Sequence, residues 1–104
     1  MMKDLGNLQK MLKQAKEMQD HLQKEMADLR LEGTSGGGMV TVTLDGQKNM
    51  INIRLDPEVV NRDDVEMLQD LIVAAFNDAA AKVDEHMSQQ LSRLGGGLKI
   101  PGLF

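Results

Sequence analysis

The chain has no cysteine, tryptophan or tyrosine, and Phe76 and Phe104 are its only aromatic residues. Without cysteine there can be no disulfide, no thiolate-held zinc and no thiol nucleophile. The absence also suits a reducing compartment. No apolar run approaches the roughly 18 residues needed to cross a bilayer. The stretch Met1-Met2-Lys3-Asp4-Leu5 lacks the apolar run of a secretory leader. A cytosolic protein with no membrane partner is therefore expected. Large rings are missing, so leucine, valine, isoleucine, alanine and nine methionines must fill the interior. A core drawn from 104 residues is small, and two copies pooling their apolar faces would enlarge it.

The formal net charge is −4. An acidic total argues against a nucleic-acid partner, but the charge is unevenly distributed. Within residues 1–16, Lys3, Lys10, Lys13 and Lys16 stand against Asp4 alone. The first helix is thus locally cationic on an acidic protein.

Leu5, Leu8, Leu12, Ala15, Leu22, Met26 and Leu29 recur at three- and four-residue spacing, with Met11 and Met18 beside them. The spacing predicts an amphipathic helix over about residues 4–28. At 1.5 Å per residue it would be roughly 38 Å long, too long for so small a core to cover, so part of it should project. The period then changes to two. Leu29, Leu31 and Gly33 suggest a short strand, and Gly33-Thr34-Ser35-Gly36-Gly37-Gly38 a turn. Val40, Val42 and Leu44 alternate with Thr41 and Thr43 as a half-buried strand. Asp45-Gly46 predicts a tight turn that uses glycine's tolerance of positive φ. Ile51, Ile53 and Leu55 form the partner strand, which ends at Pro57. Asp56-Pro57-Glu58 reads as a cap with proline at the first helical position. Asp63 is expected to cap the next helix, with Glu66 completing a capping box.

Helical spacing then holds from Val65 through Leu94. Leu71-Ile72-Val73-Ala74-Ala75-Phe76 is apolar on every side, so it must be covered on more than one side. The sheet can cover one. A second copy is expected to cover another, with Leu71, Ile72, Ala74, Ala75, Phe76 and Ala79 as the candidate dimer interface. The predicted class is α+β, with a long N-terminal helix, a three-stranded antiparallel meander and a long C-terminal helix. Residues 1–94 form one domain. Residues 95–104 are a glycine-rich tail expected to be mobile, with docking on a partner as the minor alternative.

At 100° per residue, Lys3, Lys10, Lys13, His21 and Lys24 fall within about 80° of one another, opposite the apolar stripe, and Lys16 flanks them. Such a row can meet successive phosphates, and each contact releases counterions. An ordinary solvated face is the competing reading, because Glu17, Asp20 and Asp28 interrupt the row. Lys82, Arg93 and Lys99 have no supporting context. Gly36-Gly37-Gly38 lacks the lysine of a P-loop and leads into a strand, so it reads as a turn. His21 and His86 are isolated, which gives no metal spacing. The acids from Asp63 to Asp70 read as caps and a solvated face. Ser35, Ser88 and Ser92 have no identifiable companion base. No enzyme, cofactor or small-molecule substrate is expected. A sheet without aromatics also argues against single strands, whose bases stack on exposed rings.

The order of these pieces resembles a known family. The glycine turn runs into Val40-Thr41-Val42-Thr43-Leu44-Asp45-Gly46. It is followed by Ile53-Arg54-Leu55-Asp56-Pro57-Glu58 and then the helix Ala74-Ala75-Phe76-Asn77-Asp78-Ala79. Together they resemble the YbaB/EbfC family over essentially the whole chain. The resemblance implies an α–β–β–β–α order and a tweezer-like homodimer whose projecting helices hold double-stranded DNA. It also implies a bacterial, nucleoid-associated cytoplasmic protein that compacts DNA and influences gene expression. Carried onto this chain by charge geometry, the candidate DNA-binding residues are Lys3, Lys10, Lys13, Lys16, His21 and Lys24. A protein-interaction module built on the methionine- and leucine-rich arm and the apolar tail is the alternative.

Overall fold

The computed structural model describes residues 2–95, with side chains from Leu5 to Arg93. The tail expected to be mobile lies almost wholly outside these residues. Helix α1 covers Met2–Asp28, strands β1, β2 and β3 cover Leu31–Ser35, Val40–Leu44 and Met50–Leu55, and helix α2 covers Val65–Gly95. The strands form one antiparallel sheet in the order β1-β2-β3. The α+β meander expected from the periodicities is the architecture found. β1 sits two residues later than its pattern suggested.

Register decides which face is covered. Gly33 pairs with Val42 and Leu31 with Leu44, while Val40 and Val42 pair with Leu55 and Ile53. These residues share the face that meets α2. Thr41, Thr43, Asn52 and Arg54 alternate to the other face, as a period of two requires. The core consists of Val40, Val42, Leu44, Val59, Ala75, Ala79 and Val83, with Phe76 and other half-buried residues packed against it. A core of small and β-branched side chains lets α2 lie very close to the sheet. A Cβ added to Gly33 would come within 2.2 Å of the Ala75 carbonyl oxygen and the Ala79 nitrogen. That glycine is demanded by space.

α2 is also fastened by polar contacts. The Asp78 carboxylate accepts from the Thr34 backbone N–H at 2.9 Å, and Lys82 Nζ donates to the Glu32 carbonyl at 2.9 Å. Asp64 caps the helix by accepting from the Met67 N–H at 3.1 Å. The expected cap, Asp63, lies one residue too early, because Asn61 takes the Asp63 N–H and turns the chain first. The Asp56-Pro57 cap forms as expected, with Asp56 accepting from the Glu58 N–H.

The β2–β3 turn differs from the expectation. Lys48, not Gly46, takes the positive φ, at 64°. The Asp45 carboxylate organises this turn by accepting from the Gln47 and Asn49 backbone N–H groups and from the Asn49 side-chain amide. Gly46 is needed for another reason. Its N–H donates to the Met26 carbonyl at 2.8 Å. A Cβ there would press on the Met26 backbone. The same turn reaches α2 through Lys48 Nζ and Asp84 at 2.7 Å. One hairpin turn therefore grips both helices.

Candidate nucleic-acid interface

From Leu5 to Glu25 every side chain of α1 is exposed, and Met26 is the first to be half-buried. The helix is about 40 Å long by its 27 residues. It is held at its C-terminal end and projects from there, as its length predicts. The molecule measures 74 × 25 × 16 Å with a radius of gyration of 20.5 Å, against roughly 13 Å for a compact chain of 100 residues. The joint is well satisfied. Gly46 serves the Met26 carbonyl, and Arg30 Nη1 donates to the Ala27 and Leu29 carbonyls at 2.7 and 2.9 Å. These bonds answer carbonyls that a helix end leaves without partners.

Along this arm Lys10, Lys13, Lys16, His21 and Lys24 are all exposed. The Lys3 side chain lies outside the described residues. The lysines are presented to solvent as a row, the arrangement phosphate contact needs. His21 is 3.0 Å from Glu25 one turn on, so its positive charge, when present, has a neighbour. Other basic residues have different placements. Lys82 ties α2 to β1, and its ammonium also lies 3.5 Å from Asp78. Arg93 is exposed in the last turn of α2. Lys99 lies outside the described residues.

Two carboxylates are held below the usual range by the contacts that make them structural. Asp45 is lowered first by the Asn49 backbone N–H, then by the Asn49 side-chain amide, against an opposing effect of burial. Asp78 is lowered first by the Thr34 N–H and more weakly by Lys82. Fixed donors engage both oxygens of Asp45 and the Oδ2 of Asp78.

The candidate dimer residues separate into two groups. Ala75 and Ala79 are fully buried against the chain's own sheet, so their contacts are made within one chain. Leu71, Ile72 and Phe76 are half-buried beside that core, and Ala74 is exposed. Ala74 lines an open recess with Asp64, Glu66, Met67, Asp70 and Leu71. Near it Val73 is 58% exposed. Helical periodicity shows that the segment is apolar all round. It does not show which side the sheet takes, because that depends on the twist and register of the strands.

The last turns of α1 lie beside α2 and enclose a groove of about 330 Å³ lined by Leu22, Met26, Leu29, Met87 and Leu91, with Glu25, His86 and Gln90. His86 is therefore half-buried in this groove, 3.5 Å from Gln90. Among the described residues no group of three or more His, Cys, Asp or Glu is placed to hold a metal. Gly36 and its neighbours form the expected turn. Gly36, Gly37 and Gly38 all have positive φ, and Ser35 Oγ donates to the Leu71 carbonyl beside them.

The family model of the YbaB/EbfC DNA-binding family matches residues 2–98. The chain belongs to the YbaB/EbfC DNA-binding family. A nucleoid-associated protein of Bacillus licheniformis is 50% identical over 103 residues, covering 96% of this chain and 96% of that protein. One of Koribacter versatilis is 49% identical over 96 residues, covering 92% and 95%. The crystal structure of an uncharacterized protein of Helicobacter pylori superposes with a TM-score of 0.70 at 25% identity, covering 84% of this chain and 91% of that one. The YbaB/EbfC match spans arm, sheet and α2 together. The resemblance in the glycine turn, the Asp56-Pro57-Glu58 segment and the Ala74–Ala79 helix therefore extends to the complete architecture.

Proposed function

We propose that this protein is a nucleoid-associated, cytoplasmic homodimer that binds duplex DNA between two projecting α1 helices. Through that binding it contributes to nucleoid organisation and gene regulation. The observation that carries this reading is the exposed lysine row on a helix that stands clear of the body, in a chain of a DNA-binding family. Lys10, Lys13 and Lys16, with Lys3, His21 and Lys24, are the proposed phosphate-facing groups. Their role is to position the protein by charge, not to read bases. Membership of a DNA-binding family favours binding over catalysis.

The dimer follows from what one chain leaves uncovered. Large apolar side chains, among them Met50, Ile51, Val60, Val65, Met67 and Val73, are exposed on the body. So many exposed apolar side chains on a small domain favour covering by a second copy. The proposed contact uses Ala74 and the outward parts of Leu71, Ile72 and Phe76. Two arms held by one body would double the phosphate contacts and focus the potential between them.

The test is a gel-shift titration of duplex DNA across a salt series. Affinity should fall with salt at a logarithmic slope of about −0.9 for each phosphate neutralised. The Lys10→Glu/Lys13→Glu double variant should bind more weakly with a shallower slope while remaining a dimer. Unchanged affinity in that variant would remove the arm mechanism. A second reading, a protein-interaction module, is favoured by the exposed stripe Leu5, Leu8, Met11, Leu12 and Met18. Methionine's flexible side chain suits such contacts. That reading predicts no salt-sensitive shift of DNA at all.

A further inference from the structure

We infer that DNA is engaged by the distal halves of the arms alone, and that the proximal halves hold it away from the body. The inference rests on the duplex-binding reading and narrows its phosphate-facing set to Lys3, Lys10, Lys13 and Lys16, setting His21 and Lys24 aside.

The arm changes sign along its length. From Leu5 to Lys16 it carries Lys10, Lys13 and Lys16 and no acid. From Glu17 to Asp28 it carries Glu17, Asp20, Glu25 and Asp28 against Lys24. The change occurs on one continuous exposed face. Lys10, Lys13, Glu17, Asp20 and Asp28 fall within about 80° of one another at 100° per residue. The structure orients this gradient, because the Met26 end is seated on the β2–β3 turn. The cationic half is therefore the free end.

Distance decides whether the two halves cancel. The axial separation from Lys13 to the middle of the proximal half, near Leu22, is about 14 Å. The screening length at physiological salt is about 8 Å. Within that length of Lys13 lie Lys10 and Lys16 against Glu17 alone, whereas around Asp20 the acids Glu17, Asp20 and Glu25 outnumber Lys16 and Lys24. The base of the arm adds to the contrast. Glu85 is exposed nearby on α2, and Lys48 is paired with Asp84. Arg30 has its guanidinium hydrogen-bonded to the helix's terminal carbonyls. Lys24 has Asp20 and Asp28 four residues to either side, so its charge is offset locally. The partial positive charge of the α1 N-terminus lies at the free end as well. A duplex thus meets attraction at the tips and repulsion toward the hinge, so it rests at the tips and does not slide down to the sheet.

The natural lack of cysteine permits a direct measurement. Asn7→Cys, Gln14→Cys and Asp28→Cys each introduce one attachment point for a photocrosslinker on an exposed part of this helix. The two outer positions should crosslink to a 30-base-pair duplex roughly tenfold more than position 28 at physiological salt, as expected where the counterion-releasing contacts lie. Asp28→Cys removes an acid at the hinge, so a weak crosslink there is a stringent result. In parallel, Lys10→Gln should lower affinity and flatten the salt slope, while Gln23→Glu, an equal change of charge on an exposed proximal position, should leave both within about twofold. Crosslinking from position 28 equal to that from position 7, or a Gln23→Glu loss matching that of Lys10→Gln, would overturn the assignment with duplex binding intact. Absence of any DNA shift by the unmodified protein would instead overturn the duplex reading and this one with it.

Discussion

The Gly46 N–H meets the Met26 carbonyl at 2.8 Å, joining the β2–β3 turn to the last turn of the projecting helix. A Cβ at residue 46 would lie 2.8 Å from that same oxygen and 2.9 Å from Met26 Cα. Both atoms are backbone and cannot swing aside. Gly46→Ala should therefore shift the hinge and cost about 1–3 kcal/mol, the usual range for overpacking. Gly6→Ala is the matched control, since nothing lies within 4 Å of an added Cβ there. In a helix interior that change should stabilise by about 0.5–1 kcal/mol. Urea denaturation of the pair should give opposite signs. A neutral Gly46→Ala would show that the hinge is not tightly seated.

Gly33 makes a closer approach still, at 2.2 Å from two backbone atoms of α2. Gly33→Ala should separate α2 from β1 and cost about 3 kcal/mol or more, at or beyond the top of the overpacking range. In a protein with so small a core, loss of cooperative unfolding or of soluble expression is the expected outcome. A variant with wild-type melting would mean that the helix can ride up off the sheet at little cost.

Acid should loosen the molecule through Asp45 and Asp78. Both are held below the ordinary value of 3.8 by donors present only in the folded chain. The folded state therefore binds the proton less readily than the unfolded state. The stabilisation is complete above the unfolded value and is lost as pH falls through the lowered, folded one. Denaturant midpoints should be flat with respect to these groups at neutral pH and should fall below about pH 4. Asp45→Asn and Asp78→Asn should each start lower and show a shallower acid decline. An unchanged pH profile in both variants would show that these bonds are not made in solution.

Two neighbouring alanines should respond differently to the same substitution. Ala75 is fully buried against the sheet, so Ala75→Glu places an unpaired charge in the core and should unfold the chain. Ala74 is exposed in the single chain. Ala74→Glu should keep the circular dichroism of the parent yet sediment as a monomer, if this surface forms the proposed dimer. A dimer of undiminished affinity would move the interface elsewhere.

Much of this was legible in the residue order. Alternation of Val40, Val42 and Leu44 with threonine requires a strand with one apolar face, though Thr41 on its other face is buried as well, and the leucine spacing of residues 5–29 requires an amphipathic helix. The excess of lysine before residue 17 is likewise a property of order alone. These are local periodicities, and each is set by the geometry of a single element. The tertiary structure alone decided the rest. It placed Ala75 and Ala79 inside one chain, moved the helix cap from Asp63 to Asp64, and gave Gly46 a spatial role where a positive φ was expected. It also showed which end of the charged arm is free. Each of these depends on where one element lies against another, and that is fixed by strand register and close backbone approach between distant residues, to which local spacing is blind.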